Sequence, residues 1–230
     1  MRFYQAGQIP EQPHMYFIYG DGGTGKTSLF KQFEGKKLLF SFDLSTNPLR
    51  GDTNTDVFVL ENTDGPDIQN QLESLLQRVI NSRQYNVIGL DNVTALQNLV
   101  LENIDNAAKD NRQNYQKLQL WFRDLAMYLR QSNVTIYATA HQLNNGANGL
   151  DGAGRFTADM NEKTFNAFTS VFDMVGRIYI KDGKRLIDVN PESGNHGKNR
   201  IDDRTIFKAD EIIKPVSNKK LTNQEERKEA

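Results

Sequence analysis

Short apolar runs alternate along this chain with longer amphipathic stretches. Met15–Tyr19 (MYFIY, ending at Gly20), Lys36–Asp43 (KKLLFSFD), Tyr85–Asp91 (YNVIGLD) and Val134–Ala140 (VTIYATA) are the runs. Several hold little period-two alternation, which fits strands covered on both faces of a parallel sheet. Between them, Asp67–Gln84 places Ile68, Leu72, Leu75, Leu76, Val79 and Ile80 on one stripe, with Pro66 near the helix start. Asn114–Arg130 repeats that spacing with Leu118, Phe122, Leu125 and Leu129. The pattern predicts an α/β fold, a mostly parallel sheet flanked by helices.

The last third differs. Arg177–Ile180 and Arg185–Val189 flank Lys181-Asp182-Gly183-Lys184, which predicts a C-terminal antiparallel hairpin extension with an Asp-Gly turn. Residues 144–163 (NNGANGLDGAGRFTADMNEK) are rich in Gly and Asn and read as a long mobile loop. The end is polar and nearly free of apolar residues from Ser217 on, so the expected organisation is one domain over 1–213 and a polar tail over 214–230, disordered or a frayed charged helix.

Bulk composition narrows the chemistry. With 230 residues, 37% hydrophobic and 25% charged, the chain can bury the core of one large α/β domain. A net charge of −1 does not advertise nucleic-acid binding, so any such binding must be local. The absence of cysteine excludes disulfides, thiolate zinc sites and cysteine nucleophiles, and fits a reducing, cytosolic setting. No apolar run approaches the roughly 18 residues of a membrane span, and the first residues lack a signal-peptide core. A cytoplasmic protein is expected.

The firmest chemical signal is Gly20-Asp21-Gly22-Gly23-Thr24-Gly25-Lys26-Thr27, a match to G-x-x-x-x-G-K-[ST] that follows a strand and opens a helix (TSLFKQF). Glycines let the backbone curl so that its N–H groups face a triphosphate, and the helix from Lys26 through Ser28 adds its positive end. Lys26 is placed for the β- and γ-phosphates and the Thr27 hydroxyl for Mg²⁺. Asp91 ends an apolar strand at the edge where open α/β sheets bind ligands, and is the second expected metal partner; the alternative is a cap on the segment starting at Asn92. The next residue is Asn92 rather than a water-activating Glu, so the acid must come from elsewhere. Asp43, ending the strand after the P-loop helix, is the candidate for orienting water; otherwise it is a turn residue before Ser45-Thr46-Asn47-Pro48.

Phe40-Ser41-Phe42-Asp43-Leu44 resembles the strand of RecA-like ATPases, and especially of DnaB-type replicative helicases, that ends in the catalytic acid. That family has Glu where this chain has the shorter Asp43, which implies a weakened hydrolysis step. His141-Gln142-Leu143-Asn144 resembles the strand end whose Gln senses the γ-phosphate and couples it to a DNA-binding loop, a role carried to Gln142. His141 stands where the family has small polar residues; it reads either as a nucleotide or nucleic-acid contact or as a neutral, hydrogen-bonded side chain. The resemblance makes the loop after Gln142 the DNA-contacting one, with Arg155, Phe156 and Lys163 as its tools for phosphate contact and stacking. Lys109, Arg112 and Lys117 either add to that surface or form a solvated helix face.

Gly197-Lys198-Asn199-Arg200 resembles the DnaB-type segment whose Lys and Arg cross a subunit interface to a neighbour's γ-phosphate; a solvated turn is the alternative. Over roughly residues 12–212 the whole resembles the compact RecA-like ATPases of bacteriophages, some of which are single-strand-annealing recombinases. That resemblance implies ATP and Mg²⁺ as cofactors, a homo-oligomer, and action on single-stranded DNA in recombination or replication. A nucleotide-dependent interaction module with little turnover, and a nucleoside or nucleotide kinase, are the rival readings.

Overall fold

The computed structural model describes residues 1–104, 106–146 and 155–213. The first strand, β1, is Met15–Gly20, followed by one helical turn, α1 (Lys26–Leu29), that tightens into a 3₁₀ turn over Phe30–Gln32. Then come β2 (Lys37–Ser41), β3 (Thr55–Val59), α2 (Ile68–Ser82), β4 (Val87–Asp91), α3 (Val93–Glu102) and α4 (Asn111–Gln131). After β5 (Thr135–Ala140), the short strands β6 (Gln142–Asn144) and β7 (Phe156–Ala158) pair antiparallel as a separate ribbon. The chain continues through α5 (Glu162–Thr169), β8 (Met174–Lys181), β9 (Lys184–Asp188), β10 (Lys198–Asn199) and β11 (Ile206–Lys208).

The main sheet runs in the order β11-β9-β8-β1-β5-β4-β2-β3, with β10 also paired to β8. Strands β8, β1, β5, β4, β2 and β3 are mutually parallel, while β9, β10 and β11 add antiparallel pairing at the β8 side. This is the mostly parallel sheet flanked by helices that the pattern of runs predicts, with the expected antiparallel extension toward the C-terminus. Alternate residues of each central strand feed two cores. Phe17, Tyr19, Ile88, Leu90, Ile136 and Ala138 pack under α2–α5, while Tyr16, Ile18, Leu39, Val87 and Tyr137 face Leu29, Phe30 and Phe33 of the α1 turn. Burial on both faces is why these strands read as unbroken apolar runs.

Two expectations change. The hairpin forms around Asp182 and Gly183, both at positive φ, but its first strand starts at Met174 and is a parallel core strand beside β1. The stretch 144–163 is not one loop. Its ends are taken up by the β6–β7 ribbon and the first residues of α5, leaving a connection whose residues 147–154 lie outside the described residues. The helix expected over TSLFKQF forms as one α-turn, Lys26–Leu29, that tightens into a 3₁₀ turn, and Phe30 and Phe33 pack into an aromatic cluster with Tyr137. The predicted tail, 214–230, also falls outside the described residues.

Candidate nucleotide site

Strand β1 delivers the P-loop to the sheet's C-terminal edge. Gly20 passes so close to β8 that a Cβ there would sit 2.4 Å from the Ile178 carbonyl oxygen. The loop then turns through Gly23 and Gly25 at φ +77° and +98°, a region open to glycine at no steric cost. Two hydroxyls fix its ends: Thr24 Oγ1 donates to the Asp21 carbonyl (2.8 Å) and Tyr137 donates to the Lys26 carbonyl (2.7 Å). The Lys26 ammonium folds into the loop and donates to the carbonyls of Gly20 (2.8 Å) and Asp21 (2.9 Å). Burial lowers its pKa. Phosphate oxygens would replace neutral carbonyls with anionic partners and relieve that penalty.

Strand β5 separates β1 from β4, so Asp91 stands two strand spacings, roughly 10 Å, from the P-loop strand. Helix α1 closes the gap: Thr27 Oγ1 donates to Asp91 Oδ2 at 2.6 Å, and Thr139 of β5 donates to Oδ1. Asp91 is 3% exposed, and its burial pushes the carboxyl pKa up. Among the described residues no group of three or more His, Cys, Asp or Glu could hold a metal ion. One carboxylate beside one hydroxyl nevertheless suits Mg²⁺, which keeps several waters and completes its shell with substrate phosphates. The cap of α3 is Asn92, whose Oδ1 accepts from Ala95 N (2.9 Å), so Asp91 is left for the site.

That cap fixes the Asn92 amide. Its Nδ2 donates to Asp43 Oδ2 and lies 3.2 Å from His141 Nε2. An NH₂ group cannot accept, so Nε2 is the acceptor and the ring proton sits on Nδ1. Asp43, two residues beyond β2, also accepts from Ser45 N at 3.0 Å, so it closes a turn while meeting Asn92 at the sheet edge. His141 is tied in further through its backbone N–H to Thr94 Oγ1 (3.0 Å).

Gln142 bridges two elements. Its Nε2 donates to Asp21 Oδ2 of the P-loop (2.9 Å), and its Oε1 accepts from Arg177 Nε (2.7 Å). The Arg177 guanidinium lies 3.4 Å from the ring centroid of Phe156, whose ring Arg155 also meets at 4.9 Å. Phe156 therefore meets two cations of its own chain. Sequence reasoning missed Arg177, treating it as an ordinary hairpin residue. The available signal was a lone cation inside the apolar run VGRIYI, in register with Tyr19 one residue before the P-loop.

Other candidates are dispersed. Lys163, on the first turn of α5, shares a groove with Arg112 and Tyr115 of α4; Arg112 is paired to Asp110 and Lys117 to the Asn106 carbonyl. Residues 194–199 are not a solvated turn. Gly194 and Asn195 are buried, His196 N donates to the Tyr19 hydroxyl (2.9 Å), and the His196 ring stacks on Phe165. Lys198 Nζ donates to the Thr169 carbonyl (2.8 Å) at the end of α5; burial, then the neighbouring Arg200, lowers its pKa to about 8. Arg200 is exposed. Lys198 is level with Phe17, about 10 Å down the sheet from Gly20 and its own P-loop, and Arg200 lies one residue beyond the level of Tyr16, farther still.

A phosphate loop with its lysine at the end of β1, opening a helix whose Thr27 meets Asp91 at the end of β4, is the arrangement of a P-loop nucleotide-binding domain. The chain belongs to the AAA domain family, whose model matches residues 12–201. A solved KaiC-like protein from the hyperthermophilic archaeon Pyrococcus horikoshii is similar at 12% identity, covering 79% of this chain and 80% of that one, with a TM-score of 0.47. No curated protein matches the sequence. No described helix is long and apolar enough to cross a membrane.

Proposed function

We propose that this chain is an Mg²⁺-dependent ATPase that assembles on single-stranded DNA in phage recombination or replication. The observation that supports hydrolysis is the convergence of Lys26, Thr27, Asp91, Asp43 and Gln142 at one sheet edge, from four different strand ends. P-loop amides and Lys26 hold the phosphates. Thr27 and Asp91 hold the metal, which neutralises phosphate charge when bound. Asp43, held by Asn92, orients a water, and Gln142 senses the γ-phosphate. An incoming γ-phosphate competes for Gln142 with Asp21, and any shift of Gln142 pulls on Arg177 and thus on the Phe156 ribbon. That linkage supports a DNA-facing role for the ribbon and its connecting loop.

Lys198 is engaged within its own chain, so Arg200, exposed and remote from its own P-loop, is the better trans-acting candidate in a homo-oligomer. Fluorescence anisotropy of a labelled single-stranded oligonucleotide, with and without ATP and Mg²⁺, tests the DNA half. The expected result is salt-sensitive binding strengthened by ATP; no binding in either state rejects it.

A further inference from the structure

One peptide plane of the P-loop is left unfixed by the loop's own hydrogen bonds. Thr24 is anchored on its N-terminal side, where its hydroxyl donates to the Asp21 carbonyl (2.8 Å). The plane after Gly25 is anchored by α1, since the Gly25 carbonyl accepts from Leu29 N (3.0 Å). Between them lies the Thr24–Gly25 plane, followed by a glycine at φ +98°. Glycine adopts positive and negative φ about equally, so this plane can flip at little steric cost. The flip matters for binding. The peptide bond is planar and trans here, so the Thr24 carbonyl and the Gly25 N–H point in opposite directions. Only one of the two can face a phosphate, and an anion needs the N–H.

Arg185 of β9 holds that plane. Its Nε donates to the Thr24 carbonyl (3.1 Å), and its side chain crosses Gly25 so closely that a Cβ there would meet Nε at 3.1 Å and Cδ at 3.3 Å. Among the described residues the guanidinium pairs with no carboxylate, so an ion pair does not account for its placement. The hairpin brings it there. Ile178 of β8 stands opposite Gly20, β8 then runs on past the end of β1, and Ile180 pairs with Arg185. The hairpin thus overhangs the P-loop by two residues, roughly 7 Å. Its other arm reaches the start of the loop, through Arg177 to Gln142 and from Gln142 to Asp21. We propose that Arg185 is a positioning residue for phosphate binding: it keeps the Thr24 carbonyl turned outward to β9 and the Gly25 N–H turned to the phosphates. The proposal rests on the P-loop reading above and adds the hairpin as the part of the fold that sets the loop's binding conformation. Arg185 acts through the backbone, not by attracting the anion itself.

Two substitutions separate the hydrogen bond from the charge. The glutamine side-chain nitrogen is bonded to the δ carbon, as Nε is in arginine, so Arg185→Gln keeps an N–H donor at that place without the cation. Arg185→Met keeps the length and removes both. Calorimetric binding of ATP and of inorganic tripolyphosphate, each with Mg²⁺, is measured on wild type, both variants and Lys26→Ala. Amide NMR spectra of nucleotide-free protein with isotope-labelled glycine are recorded beside it. Arg185→Met should weaken both ligands alike, by about tenfold, the low end for losing a hydrogen bond from a charged group, and should shift the Gly25 resonance. Arg185→Gln should bind both ligands within about threefold of wild type and return the Gly25 resonance toward its wild-type position. Wild-type tripolyphosphate binding by Arg185→Met overturns the proposal, and so does an unmoved Gly25 resonance in that variant. Equal losses in Arg185→Met and Arg185→Gln would show that the cation attracts the anion directly, and would overturn the positioning role. Tripolyphosphate binding that survives Lys26→Ala instead brings down the phosphate reading itself, and the proposal with it.

Discussion

Replacing Thr27 with Ala probes the metal pair without touching the fold's core. The Thr27 hydroxyl donates to a carboxylate that is 3% exposed, at 2.6 Å. Hydrogen bonds to charged groups contribute about 1.5–3 kcal/mol. Thr139 still serves Asp91, and the half-buried Thr27 position admits water, so the low end applies, about 1.5 kcal/mol. For a domain of this size that lowers Tm by roughly 3–6 °C. Wild type with ATP and Mg²⁺ at a hundred times Kd gains about 2.7 kcal/mol; a variant with a hundredfold weaker Kd gains only about 0.4 kcal/mol. Thermal unfolding by calorimetry, with and without ATP and Mg²⁺, reads both numbers, and Thr27→Ser should restore both. If Thr27→Ala melts with wild type and is stabilised equally by ATP and Mg²⁺, the hydroxyl neither supports Asp91 nor serves a bound metal.

Asn92→Ala frees Asp43 and His141 from their shared amide, so kcat should fall by about tenfold or more while ATP affinity stays within about threefold; an equal loss in both would mean general damage to the site. Lys198 has a folded-state pKa of about 8 against 10.5 for an ordinary lysine. Between those values the unfolded chain holds a proton that the native chain has lost, so stability should rise with pH through that window, and Lys198→Met should flatten the rise in denaturant titrations. Arg200→Ala should leave ATP binding unchanged in calorimetry but lower turnover of assembled protein, and wild-type turnover in the assembled state would remove Arg200 from the neighbour's site.

What the sequence revealed follows from where the information lies. β1, β2, β4 and β5 are buried on both faces and announce themselves as apolar runs, and the P-loop is a local motif whose chemistry needs no knowledge of the fold. α3 escaped notice because VTALQNLVLE is short and apolar on most sides, with Val93, Leu96 and Val100 all fully buried. The early part of β8 was hidden by Gly176, whose missing side chain leaves room for Ile187 and Val189. Arg177 and Arg185 depend on the order of strands in the sheet. Only the pairing of β8 beside β1 carries residues more than 150 positions downstream onto the P-loop side of the molecule. The trade of Asn92 for a Glu was legible; its second task, holding Asp43 while capping α3, required the geometry.

Phosphate release from ATP with Mg²⁺, measured beside ATP binding on wild type, Lys26→Ala and Asp43→Ala, bears most directly on the site. The RecA-like assignment predicts that wild type binds and slowly hydrolyses ATP. Lys26→Ala should lose both, and Asp43→Ala should keep binding but lose turnover by about a hundredfold or more, as expected for removal of a general base. Wild-type ATP binding by Lys26→Ala, or undiminished hydrolysis by Asp43→Ala, would contradict it.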